Sequence, residues 1–156
     1  MKPLEGEIEM KKIITLLGVV FGSVLLLMSC GTNDLGEESP YGENTNQLGG
    51  VAIELTQATY QPEGDTFELR VVNDSDEQIT YGAPYTLEYN DEGTWYEVET
   101  DEEIAFIMIA HILDAGDEAT EELNLEFYEP LDLGHYRIVR QINEEPLTAE
   151  FEVVEN

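Results

Sequence analysis

The one cysteine of this 156-residue chain, Cys30, stands directly behind Leu27-Met28-Ser29. A thiol becomes a strong nucleophile once ionised, and its chemistry in this setting is acylation. Ile13 to Met28 is apolar apart from Thr15 and Ser23, with Lys11 and Lys12 ahead of it. Positive charge, an apolar stretch and a small residue before the cut form the secretory pattern. Leu27 is too large for the site of a general signal peptidase. A large residue, then a small one, then cysteine is the pattern in which the thiol takes a lipid and cleavage falls just before it. Residues 1–29 are therefore expected to be a lipoprotein signal peptide, and Cys30 the lipidated N-terminus of the mature chain. The alternative is a short membrane anchor with an incidental cysteine, but the run falls short of the roughly 20 apolar residues a span requires. Stable attachment generally takes two acyl chains, each buried methylene contributing about 0.8 kcal/mol. A diacylglyceryl cysteine supplies two.

Other reactive constellations are sparse. A hydroxyl or thiol nucleophile needs a neighbouring base. Beyond Cys30 the chain's only serines are Ser39 in a polar stretch and Ser75 in a turn cluster. His111 sits inside an apolar run, as core or boundary histidines do, and His135 lies in a turn before a strand. Carboxylates are so abundant that no single pair points to glycoside hydrolysis. No catalytic residue is expected, and the chain reads as a non-enzyme. Calcium takes six to eight oxygen ligands, and Asp74, Asp76 and Glu77 form an oxygen-rich turn that would be a weak candidate for it. No EF-hand or zinc spacing is present.

Charge narrows the partners. The chain carries 35 acidic residues against six basic ones, a net charge of −29. Lys2, Lys11 and Lys12 go with the leader, as do Glu5, Glu7 and Glu9, so the mature chain keeps the same net charge. Such a surface repels phosphate backbones, which excludes nucleic acid. It also repels anionic head groups, so the domain should stand off its own membrane. Adaptation to salt, binding of divalent cations and a basic partner all remain open as reasons for the acidity. Arg70, Arg137 and Arg140 are the only basic residues left, and each is expected to meet a carboxylate. Tyr41, Tyr96 and Tyr128, if exposed, would offer an aromatic binding surface. The acids Glu5, Glu7 and Glu9 are foreign to a basic leader, so translation is expected to begin at Met10.

These residues must be positioned by the stretch that follows. Residues 30–50 are polar, acidic and glycine-rich without periodicity, and read as a flexible tether. Residues 51–156 read as one domain. Val51, Ile53 and Leu55 alternate with polar neighbours, as do Phe67, Leu69 and Val71, giving strands with one buried and one wet face. Ile79-Tyr81, Tyr85 to Tyr89, Trp95 to Val98, Leu123 to Phe127, Tyr136 to Ile142 and Ala149 to Val153 continue the pattern. Asn90-Asp91-Glu92-Gly93 reads as a hairpin turn. Ile104 to Leu113 is almost wholly apolar and is expected to be a buried strand, helix being the alternative. Short strands separated by turns imply a β-sandwich. With one cysteine, core packing must hold it without a disulfide.

Asp132-Leu133-Gly134-His135-Tyr136 resembles the tyrosine corner of immunoglobulin-type sandwiches. Together with Tyr81-Gly82, Tyr85, Gly93-Thr94-Trp95 and Tyr136-Arg137-Ile138, the chain is similar to the bacterial immunoglobulin-like domains of Gram-positive lipoproteins over about Val51 to Val153. The resemblance implies an antiparallel sandwich of about seven strands, with Asp132, Gly134, Tyr136 and Trp95 in structural roles. It implies a non-catalytic adhesive or interaction module. The expected whole is a lipid-anchored protein on the extracytoplasmic face of the cell membrane, binding another extracytoplasmic protein or a cell-wall component. An envelope protein that binds divalent cations or is adapted to salt is the alternative.

Overall fold

Alternation of apolar and polar residues places strands along the chain, and in the computed structural model, which describes residues 35–100 and 103–155, regular structure is strand alone. In chain order the strands are β1 (Leu35–Glu38), β2 (Val51–Leu55), β3 (Thr59–Tyr60), β4 (Phe67–Asn73), β5 (Ile79–Gly82), β6 (Thr86–Asp91), β7 (Thr94–Val98), β8 (Ala110–Leu113), β9 (Glu118–Leu123), β10 (Gly134–Ile142) and β11 (Glu145–Val153). They form two sheets. The smaller runs β2-β4-β9, and the larger β1-β7-β6-β10-β11-β3, with β5 beside the end of β10 and β8 beside β5. All pairings are antiparallel except β3 on β11. The protein is an all-β sandwich. It has more strands than the seven expected because Gly82-Ala83-Pro84 separates β5 from β6, and the short β1, β3 and β8 extend the edges. The signal peptide and Cys30 lie outside the described residues.

The core lies between the sheets. Ile53, Leu69 and Val71 of the smaller sheet face Leu87, Tyr136, Ile138 and Phe151 of the larger one, all buried. Tyr60 stacks on Phe67 at 3.8 Å between centroids, and Phe151 meets both rings edge-on. The Tyr136 hydroxyl donates to Asp132 O at 2.9 Å. That is the backbone contact a tyrosine corner makes. Gly134 precedes it at φ 150°, where a Cβ would stand 2.7 Å from the Tyr89 ring. The β6–β7 turn has Glu92 and Gly93 both at positive φ, the conformation that matches strand twist in a two-residue hairpin. Asn143 and Glu144 make the same turn between β10 and β11.

Three segments differ from the sequence reading. The stretch expected to be a tether is, from Leu35, part of the domain: β1 pairs with β7, and Asn46 N donates to Pro146 O at 2.9 Å. Backbone pairing needs no side-chain alternation, so the composition gave no sign of it. The strand expected at Leu123 to Phe127 lies earlier, at β9, and the chain turns where Tyr128 N donates to Leu125 O. Ile104 to Leu113 is strand only from Ala110, and most of it is exposed rather than buried.

Candidate interaction surface

The outer face of the larger sheet is built differently at its two ends. At one end β10 sends Arg137 outward beside Glu88 of β6, its cross-strand partner. Arg137 Nε donates to Glu88 Oε2 at 2.6 Å, and both side chains are buried. The guanidinium lies 4.2 Å from the centre of the Trp95 ring. Its other nitrogens donate to Gly42 O at 3.0 Å and Ser39 Oγ at 3.3 Å. Residues 39–46 thus form a strap over this face, held further by Asn46 Nδ2 donating to Thr148 Oγ1 at 2.9 Å and by Gln141 Nε2 donating to the Tyr41 hydroxyl at 2.9 Å. The attraction within a buried ion pair offsets its desolvation only when the remaining polar atoms are matched. The strap matches those of Arg137.

At the other end the face is open. Asn143 N donates to Thr80 O at 3.0 Å, and Thr80 N donates to Asn143 Oδ1 at 2.9 Å. Thr80 therefore turns both its backbone groups towards β10. Successive residues of a strand direct these groups to opposite sides, so Tyr81 faces β8 and pairs with His111. Ala110 and Ile112, opposite Gly82 and Thr80, then direct their N–H and C=O groups away from β5. Among the described residues no strand pairs with that outer edge. On the inner side of β8, over β5 and towards the β10–β11 turn, lies an apolar groove of about 600 Å³, lined by Tyr81, Pro84, Met108, Ile109, Gln141 and Glu144. Ile107 is 72% exposed, Met108 90%, Ile109 52% and Ile112 64%. Four large apolar side chains on β8 and just before it exceed the scattered exposure normal for a soluble domain.

Beneath this end, Arg140 points between the sheets. It pairs with Glu121 of β9, donates to Ala83 O at 2.9 Å, and lies within 6 Å of the centres of the Tyr81 and Tyr85 rings. Burial raises the Tyr81 and Tyr85 hydroxyl pKa values, the Glu121 carboxylate adding to the effect at each. Both rings thus stay neutral and prop the edge from below. Arg70, more exposed, bridges Glu54 and Glu118. Every arginine meets a carboxylate, as expected from its scarcity.

The remaining expected residues are scattered. Ser39 Oγ accepts from Arg137 and from Tyr41 N. His111 stacks on Tyr81, and His135 Nε2 lies 3.0 Å from Glu150 Oε2. The turn of Asp74, Asp76 and Glu77 is organised by buried Asn73, whose amide donates to Glu77 O, Leu113 O and Asp114 O while its oxygen accepts from Ser75. Among the described residues no group of three or more His, Cys, Asp or Glu side chains is placed to hold a metal ion. Tyr41, Tyr96 and Tyr128 are each half-buried rather than displayed. Tyr128 packs on the core, and burial pushes its pKa up to about 12. Trp95 is buried as the floor under Arg137.

With this geometry in view, residues 47–152 match the family described as bacterial Ig-like domain. The chain belongs to that family. An Ig-like domain of this kind is typically a non-catalytic interaction module. The match begins after β1 and the Ser39–Asn46 strap, so these lie outside the part shared with the family. No curated protein matches the chain. Solved structures similar to the Ig-like domain include the Pseudomonas fluorescens alkylpurine DNA glycosylase AlkC bound to DNA containing an abasic site analog, at 17% identity and TM-score 0.37. The beta-glucosidase from Listeria innocua in complex with gluconolactone is similar at 19% identity and TM-score 0.36. The aligned regions cover 68% and 79% of this chain but only 31% and 22% of those chains. At that level neither enzyme's chemistry transfers.

Proposed function

We propose that the protein is a surface lipoprotein, anchored through acyl chains on Cys30, whose Ig-like domain binds an extracytoplasmic protein or cell-wall component without catalysing a reaction. Leu27-Met28-Ser29-Cys30 behind an apolar run supports the anchor. The observation that carries the binding role is the free β8 edge with its exposed isoleucines and Met108. Both histidines and both serines of the domain have structural neighbours, which leaves the exposed edge as the feature without an internal purpose.

Intact-mass analysis of the native protein from membranes tests the anchor. The expected species starts at Cys30 and is heavier by a diacylglyceryl group, and Cys30→Ser abolishes that mass and releases the protein from the membrane fraction. An unmodified thiol, or a chain that still carries its leader, refutes the anchor.

A further inference from the structure

Acidic residues are distributed unevenly in this chain. Ile104 to Leu113, Gln78 to Leu87 and Leu133 to Asn143 contain no Asp or Glu, although each is bounded by acids on both sides. These three stretches hold β8, β5 and all of β10, which neighbour one another in the larger sheet, whereas a fourth, Asn44 to Ile53, runs into β2 of the smaller sheet. Ile104 to Leu113 carries four of the exposed large apolar side chains, Ile107, Met108, Ile109 and Ile112. Its fringe is acidic. Glu103 precedes the exposed run, Asp114 follows β8, and Glu144 lines the groove with Glu145 beside it, all four exposed. No lysine lies in residues 35–155, and the arginines of the domain are engaged by carboxylates.

We infer that the β8 edge takes an extended segment of a partner protein by strand addition, and that this segment is apolar at its centre and flanked by lysine or arginine. Ala110 and Ile112 supply the outward backbone groups that such a strand pairs with, main-chain bonds giving affinity and side-chain pockets specificity. Exposed Ile112 and, just before the strand, Met108 and Ile109 offer its alternate apolar side chains a surface to pack on. The fringe of Glu103, Asp114, Glu144 and Glu145 attracts basic flanks and speeds their encounter. The same fringe disfavours the other occupants. A second copy pairing antiparallel would bring Glu103 of one chain towards Asp114 of the other. An anionic bilayer would meet carboxylates with no lysine among them. A glycan has no peptide backbone to extend the ladder. The inference rests on the reading of the domain as a binding module, and names its partner's chemistry.

Two fluorescent peptides of alternating valine and threonine test it, one with two lysines at each end and the other with two glutamates there. Binding is followed by anisotropy on the full chain reconstituted in neutral-lipid nanodiscs. The lysine probe should bind about tenfold more tightly than its twin, and more weakly as salt rises. Ile112→Pro removes an outward N–H that β5 does not use, and should weaken the lysine probe about tenfold. Ile112→Thr keeps the strand geometry and should also weaken binding, which covers the case in which the proline variant fails to fold. Equal binding of the two probes overturns the inference. So does binding untouched by either variant in a protein that still melts cooperatively. So does a dimer in sedimentation, or capture of anionic vesicles by the nanodisc-held chain, that either variant abolishes. A protein that carries its lipid and binds neither peptide sinks this inference and leaves the anchor standing.

Discussion

Replacing Arg137 by methionine tests how the strap and the sandwich are joined. The variant keeps the apolar stem above Trp95 and deletes the bonds to Glu88, Gly42 and Ser39. Glu88 is then left buried without its partner, and breaking a buried pair in this way costs about 3–5 kcal/mol. A domain of this size is stable by only about 5–15 kcal/mol, so the loss is a large part of the whole. Domains of 60–100 residues lose about 4–8 °C per kcal/mol and larger ones about 2–4 °C. For this domain the drop in Tm is therefore about 10–20 °C, read by calorimetry at neutral pH. The double variant Arg137→Met with Glu88→Leu removes both charges together and should recover most of the loss, since apolar replacement of a buried pair is often close to neutral. Hydrogen exchange adds a local readout. The Ser39 amide, which donates to Trp95 O at 2.8 Å, should lose protection in the single variant before the core opens. A single variant that melts within about 4 °C of the parent, with Ser39 still protected, would refute the claim that this ion pair clips the strap to the sheet.

Tyr136→Phe deletes the donor to Asp132 O and should lower stability by about 0.5–1.5 kcal/mol in chemical denaturation, with the fold retained. Gly134→Ala drives a Cβ into the Tyr89 ring at a φ that side chains avoid, and should cost about 1–3 kcal/mol by the same measurement. Burial raises the Glu97 pKa, with Glu88, Glu37 and Glu99 adding to it. The native state then binds more protons than the unfolded one between the ordinary carboxylate pKa and the raised value, so stability falls as pH climbs through that window. Glu97→Gln should raise Tm at pH 7 and leave it nearly unchanged at pH 3, and a lower Tm at pH 7 would contradict the sign.

Strands with strict alternation were legible because one face is buried and the other is wet. Val51 to Leu55 and Phe67 to Val71 show this directly. The tyrosine corner was legible because it is local: donor and acceptor lie four residues apart. The strap was not, because its contacts are made to residues about a hundred positions away, Gly42 with Arg137 and Asn46 with Thr148. A scarce arginine at the centre of an apolar strand announced a partner, but not which carboxylate or which carbonyl. β9 was displaced because Leu123, Leu125 and Phe127 alternate as well as any strand, whereas Glu118, Glu121 and Glu122 hide the true one. Ile104 to Leu113 was misjudged for a different reason. Hydrophobicity measures the tendency to leave water, and a docking edge shares that tendency with a core.

The strap also changes what the acidity has to accomplish. β1 pairs with β7 from Leu35, five residues after Cys30. At about 3.3–3.6 Å per residue, five residues span at most roughly 18 Å. β1 runs antiparallel to β7 with Leu35 opposite Val98. Following the register through β6 and β10, its N-terminal end points towards the end of the sheet where Ile142 meets Tyr81 and Tyr81 meets His111. A lipid on Cys30, as proposed, would hold the domain from that end. Repulsion between carboxylates and lipid head groups would then act on orientation, favouring Glu144 and Asp114 in water. An unpaired apolar edge would otherwise invite association between copies. The acid fringe that opposes such pairing is also what a basic, membrane-proximal segment of another protein would find attractive. Under the strand-addition inference, one distribution of charge would both oppose self-association and select the partner.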